Sequence, residues 1–240
     1  MAQVQSKLRS RWERVPPNRV KRMATTLTRP EVPEVIERRI VLYGISWAAY
    51  EALLADHLDR SVPHFTFDRG VLEIVSPSIK HEGSNWALAR IVEAYAEAAG
   101  IDFFNAGSTT FKREDWERGF EADSTFYIQN TDRMRARTEV DPTVDPPPDL
   151  VIEIDVTSSS LNKLPIYVQF GVREVWRCEG TGVVIYNLAG GRYVESTESL
   201  VLPGLSADDL SRLLEENKKL SQTAWLRALR QWVRERKSGD

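Results

Sequence analysis

Residues 146–163 read PPPDLVIEIDVTSSSLNK, and the pattern inside this stretch decides how the chain is organised. Pro146, Pro147 and Pro148 hold the backbone extended and bias the residues after them toward the β region. Side chains alternate across a strand, so Leu150, Ile152, Ile154 and Val156 share one face. Asp149, Val151, Glu153 and Asp155 share the other. Same-face neighbours lie roughly 6.5–7 Å apart, close enough for unscreened carboxylates to repel one another. Three arrangements relieve such a row: solvent covers it, Lys or Arg pairs with it, or a hard cation sits in it.

Outward from this strand the elements alternate in kind. ERRIVLYGIS gives a short strand, after which Ser46 caps a helix carrying Trp47, Tyr50, Leu54 and Leu58. HFTFDRGVLEIVS reads as a hairpin turning at Asp68-Arg69-Gly70. Apolar positions Leu88, Ile91, Val92, Tyr95 and Ala99 mark an amphipathic helix from Ile79 to Ala99, stopped by Gly100. IDFFNA, STTFK and EADSTFYI are further strands, and the polar residues 129–145 form a loop. After the opening stretch, Ser158, Ser159 or Ser160 caps a helix through LNKLPIYVQF that ends near Gly171. Three β-segments come next, then two helices. The first is capped by Ser206, and the second carries Leu226, Leu229 and Val233 opposite its arginines. Helices around a strand-rich middle predict a mixed α/β domain.

Bulk properties narrow the function. The 240 residues suffice for a sizeable core, and the formal charge of −3 is ordinary for a soluble protein. The pI of about 5.8 excludes a uniformly basic surface but not a local basic patch. Basic residues gather at the ends, seven Lys or Arg within residues 1–22 and seven within 218–240. Residues 1–38 read as a mobile basic extension, 39–216 as the folded domain and 217–240 as a basic C-terminal helix. A single cysteine, Cys178, precludes an intrachain disulfide and a Cys-based zinc site. No apolar run approaches a membrane span, and the N-terminus lacks a signal-peptide core, so the expected location is cytoplasmic. Trp86, Trp176 and Tyr186 sit at core positions, whereas Trp225 and Trp232 on the last helix invite pairing with a second copy, a homodimer.

Asp123, in EADSTFYI, gives the acidic row a purpose if it lies beside Glu153. Carboxylates from two neighbouring strands, helped by Asp149 or Asp155, make an oxygen-only site suited to Mg²⁺ or Mn²⁺. Lys163, in the first turn of the following helix, is the nearest cation along the chain for a phosphoester.

Several ordered blocks then resemble one family. EADSTFYIQN and PPPDLVIEIDVTSSSLNKLPIYVQFGVREVWRCEG, with GVLEIVSPSIKHE and GSTTFKREDWERGFEAD upstream, are similar to the Uma-two family of endonucleases, within the PD-(D/E)XK superfamily. The resemblance covers roughly residues 40 to 215. It implies a restriction endonuclease-like fold, a mixed β-sheet flanked by helices, and Mg²⁺- or Mn²⁺-dependent hydrolysis of DNA phosphodiesters. On its pattern Asp123, Glu153 and Asp149 match the carboxylates, Lys163 the helix-borne lysine and His81 a family histidine. Two departures stand out: Asp155 where the superfamily has lysine, and Ala122 where the family has proline. The first keeps a rival open, a nuclease-like scaffold that binds nucleic acid or a partner protein without cutting.

Overall fold

A computed structural model describes residues 37–58, 60–155, 161–180 and 182–238. The serines read as a helix cap, 158–160, and nearly all of the basic extension lie outside the described residues. Residues 37 and 38 are described, and Arg38 opens the first strand.

The alternation of the opening stretch produces β8 (Leu150–Asp155), an inner strand of the larger sheet. A six-stranded sheet runs β11 (Arg192–Ser196), β10 (Gly182–Ala189), β9 (Glu174–Glu179), β8, β7 (Ser124–Tyr127) and β4 (Phe104–Gly107). Among the described strands only β8 and β9 pair in parallel, with α4 (Leu164–Phe170) in the connection between them. This is the mixed sheet with helices that the resemblance implies. A second, five-stranded antiparallel sheet runs β1 (Arg38–Tyr43), β3 (Val71–Ser76), β2 (His64–Asp68), β6 (Arg118–Glu121) and β5 (Thr110–Arg113). The chain passes from one sheet to the other at Ala122–Asp123, between β6 and β7. Asp123 therefore stands at a corner where both sheets reach it.

Both faces of β8 are covered. Leu150, Ile152 and Ile154 pack with Trp176 under α2 (Ile79–Ala99), α5 (Ala207–Lys219) and α6 (Gln222–Ser238). Val151 packs on the other side against Ile166, Tyr167 and Phe170 of α4. Each such aliphatic side chain contributes roughly 1.5–3 kcal/mol by leaving water. A solvated acidic face is thus excluded, and the carboxylates need other partners. α1 (Trp47–Ala55) covers the second sheet, where Tyr50 stacks on Phe67 at 4.9 Å. Gly119 makes room for it, since a Cβ there would collide with the Tyr50 hydroxyl.

Local signals account for the helix ends. Gly100 closes α2 in the left-handed region, at φ 66°. Ser206 accepts a hydrogen bond from the Asp209 amide while Asp209 accepts one from the Ser206 amide, a reciprocal cap on α5. Ser206→Ala is expected to destabilise the protein by about 1 kcal/mol, read as a shifted denaturant midpoint with unchanged slope. α4 begins later than its sequence suggests: Lys163 occupies the position before the helix, and Pro165 fits its first turn. The 129–145 loop holds one short helix, α3 (Thr131–Arg135).

Trp176 is fully buried and Trp86 packs on Trp225 at 5.5 Å, as core positions should. Trp225 corrects the pairing expectation. It too is fully buried, with its indole N–H donating to the Leu213 carbonyl at 2.9 Å, so none of it is offered to a second copy. Trp232 is half-buried between the guanidinium groups of Arg212 and Arg236.

Candidate active site

β7 and β8 pair with Ser124 opposite Ile152 and Thr125 opposite Val151. One step further along this antiparallel register brings Asp123 opposite Glu153, and directly opposed side chains share a face with Cβ atoms about 5 Å apart. The corner is pinned from both sides. Asp123 Oδ2 accepts the Ile154 amide at 2.7 Å, and Asn85 of α2 donates to the Asp123 carbonyl at 3.0 Å while accepting the Ser124 hydroxyl at 2.8 Å.

Asp123 Oδ1 faces two histidines. His81 Nε2 lies 2.8 Å away, at ion-pair distance though without hydrogen-bond alignment, and His64 Nδ1 lies 3.2 Å away. His81 sits in the first turn of α2, where its amide donates to the Ser78 cap, and its Nδ1 bonds to Glu37 Oε2 at 2.6 Å. Burial disfavours a charged His81, but Asp123 and Glu37 on its two nitrogens outweigh that and push its pKa up to about 10. It is an imidazolium at neutral pH. Burial likewise works against a charged Asp123, and the two histidines overcome it, holding the carboxyl well below the ordinary range. For His64, too, burial is outweighed by Asp123 and the pKa is raised.

Glu153 takes different partners. Lys163 Nζ pairs with its Oε2 at 2.7 Å, and the Tyr167 hydroxyl donates to Oε1. Burial first, and the charge of Asp123 after it, raise the Glu153 pKa in spite of Lys163. Burial opposes the Lys163 ammonium as well, but Glu153, Asp123 and Glu73 together lift its pKa above the usual value. Tyr167, buried and next to Glu153, is pushed far up and stays a donor.

The acidic row of the opening stretch is thus relieved residue by residue. Asp149 accepts the amides of Ile128 and Gln129 at 2.7 and 2.9 Å. It precedes Glu153 by four residues, about 13 Å of strand, and is not brought to the Asp123–Glu153 pair. Its Oδ2 caps the end of β7 and its Oδ1 lies 3.8 Å from Arg173, away from the pair it was expected to join as a third ligand. Asp155 accepts from Arg177 Nε at 2.5 Å and lies 3.6 Å from Arg39, which also binds Glu37 at 2.8 Å and Glu73 at 2.9 Å. Glu82, beside His81, is exposed and takes no part.

Asp123, Glu153, Lys163 and His81 are therefore brought together. Sequence reasoning missed His64, Glu37, Arg39 and Tyr167. Tyr167 was within reach, since it follows Lys163 by four residues on one helical face. His64 and Arg39 come from the second sheet, and Glu37, just before β1, falls in the segment read as an extension.

A cavity of about 280 Å³ opens beside these groups, lined by Glu153, Asp155, Asn162, Lys163, Tyr167 and Arg177. Among the described residues no three His, Cys, Asp or Glu side chains form a ready-made metal cage. Magnesium keeps several waters and uses one or two carboxylates together with substrate phosphates. Asp123 and Glu153 offer hard carboxylate oxygens, the donor type that Mg²⁺ or Mn²⁺ takes, with His81 and Lys163 as their partners in the metal-free site. No helix among the described residues is long and apolar enough to cross a membrane.

Comparison with known proteins bears on the same region. None of the curated proteins compared with the chain matches it. Among solved structures, the chain is similar to one described as a "putative nuclease belonging to DUF820 from Anabaena variabilis ATCC 29413". The two share 15% identity over 63% of this chain and 92% of that one, with a TM-score of 0.45. A family model described as "Putative restriction endonuclease" matches residues 47–216, which include Asp123, Glu153, Lys163 and His81. The chain belongs to this family, Uma2.

Proposed function

We propose that the protein is a divalent-metal-dependent endonuclease that hydrolyses phosphodiester bonds of DNA. The observation that carries this reading is the corner itself: two buried carboxylates, Asp123 and Glu153, in register on adjacent strands, with Lys163 paired to one of them at the wall of an open cavity. Asp123 and Glu153 would hold Mg²⁺ or Mn²⁺. Such an ion supplies a water of lowered pKa and polarises a phosphoryl oxygen.

The chain's own residues do the remaining work. His81, backed by Glu37, keeps Asp123 ionised and fixes its orientation. Tyr167 does the same for Glu153 through its hydroxyl. Lys163 turns from Glu153 toward a non-bridging phosphate oxygen, which its flexible stem and edge position allow, and balances the charge that grows there.

The scaffold reading draws on one observation, that Glu153, Asp155 and Asp123 already each face a cation of the chain. One experiment separates the two. Supercoiled plasmid incubated with the protein should be nicked or linearised with Mg²⁺ or Mn²⁺ and left intact in EDTA. DNA that is bound but uncut with either ion, at any salt concentration, would refute the endonuclease and favour the scaffold.

A further inference from the structure

Asp155 raises a question the carboxylate pair does not answer. It is the last residue of β8, only 10% exposed at its side chain, and two arginines from different sheets converge on it. A buried ion pair is a poor stability device, since an apolar pair of similar volume does as well or better. What such a pair does supply is direction.

The direction is visible. β8 and β9 are parallel neighbours with Glu153 opposite Arg177, so the two side chains leave the sheet on the same face. Arg39 is 10% exposed at its side chain and is shared among Glu37, Glu73 and Asp155. Arg177 is 30% exposed and lines the cavity together with Lys163 and Glu153. Asp155 grips Arg177 by Nε at 2.5 Å, and Glu179 stands 3.2 Å from Nη2. A guanidinium has five donors in a planar fork, more than these two carboxylates and the neighbouring Tyr186 hydroxyl engage. Arg39 on the far side of Asp155 keeps that carboxylate from drifting.

We infer that Arg177, aimed by Asp155, is a second phosphate-binding cation of the cavity, taking a backbone phosphate of the nucleic acid beside the one that meets Lys163. This rests on the nuclease reading and adds to it a residue that holds the strand without taking part in bond cleavage. A fork that binds two phosphate oxygens at once also fixes orientation, which a lone ammonium does not. Asp155 then acts as a positioning residue, through Arg177 alone.

The test is binding of a short labelled DNA duplex to the full chain by fluorescence anisotropy, across roughly 50–200 mM salt. Ca²⁺ replaces Mg²⁺ so that binding is read apart from cleavage. Arg177→Met, which keeps the aliphatic stem, should weaken binding roughly tenfold at the low-salt end. It should also flatten the plot of log affinity against log salt by about 0.9, one phosphate contact. Arg177→Lys should restore most of the slope. Asp155→Asn should weaken binding while leaving the slope near the unmodified value, because the charge remains and only its aim is lost. An unmodified protein that binds duplex while Arg177→Met shows the same affinity and slope would overturn this inference and leave the nuclease reading standing. An unmodified protein that binds no duplex would overturn both. If Arg177→Met fails to fold, the Lys and Asn variants decide: an Asp155→Asn protein that binds as tightly as the unmodified one overturns the aiming role.

Discussion

Glu153→Gln should abolish cleavage, lowering the rate by about a thousandfold or more, while the protein stays folded. The size follows from losing one oxygen donor to the metal and its charge at the step where phosphate charge builds up. The fold survives because the glutamine side chain still accepts the Tyr167 hydroxyl, and Lys163, next to the cavity, can turn to water once its partner is neutral. Burial also makes an ionised Glu153 costly, and a neutral amide escapes that cost. The expected change in stability is accordingly small, about 1–2 kcal/mol, well under the value for an ion pair sealed from solvent. Single-turnover cleavage of plasmid with excess enzyme, alongside thermal melting, reads both numbers. A Glu153→Gln protein that cuts at an undiminished rate would remove Glu153 from the chemistry.

Asp123→Asn should erase metal-dependent stabilisation. The unmodified protein gains about 2.7 kcal/mol at a Mn²⁺ concentration one hundred times the dissociation constant, and the variant gains nothing measurable. A second effect separates this from general damage. His81 is held charged by Asp123 and Glu37 together, so Asn should lower its pKa from about 10 toward the ordinary value, with Glu37 alone retaining part of the shift. In the metal-free protein the sign is definite. His81 has a raised folded pKa, so its stabilisation is complete below about pH 6.5, the unfolded value. It is lost as pH climbs to about 10. In Asp123→Asn that loss should be smaller and finish at lower pH. Imidazole titration by NMR follows it directly, and an unaltered His81 titration would show that Asp123 is not its partner in solution.

The opening stretch made β8 and its inward faces legible, because strand alternation is local. The proline run, the apolar alternation and the glycine ends of α2 and α4 are readable for the same reason. Asp123, Glu153, Lys163 and His81 were legible through resemblance, and the geometry brings them together. What could not be read is who meets whom across the two sheets. Asp149 and Glu153 look equivalent in sequence, yet one caps β7 and the other faces Lys163, a difference set by where β7 ends. His64 and Arg39 carry no motif, and they reach the corner only because the chain changes sheets at Asp123. Trp225 resembled an exposed aromatic of a basic helix, and the packing of α6 on α2 took it inside.

β1 begins nine residues before position 47, the start of the matched family region. Through Glu37 and Arg39 this short edge strand closes a loop of charge that runs from His81 round to Asp155. Trimming the polypeptide to its matched stretch would keep Asp123 and Glu153 and still strip His81 of Glu37 and both Glu73 and Asp155 of Arg39. A boundary drawn by family likeness would thus cut through the counter-charges that keep the acidic corner tolerable, and the shortened protein should melt earlier and grip metal less firmly than the whole.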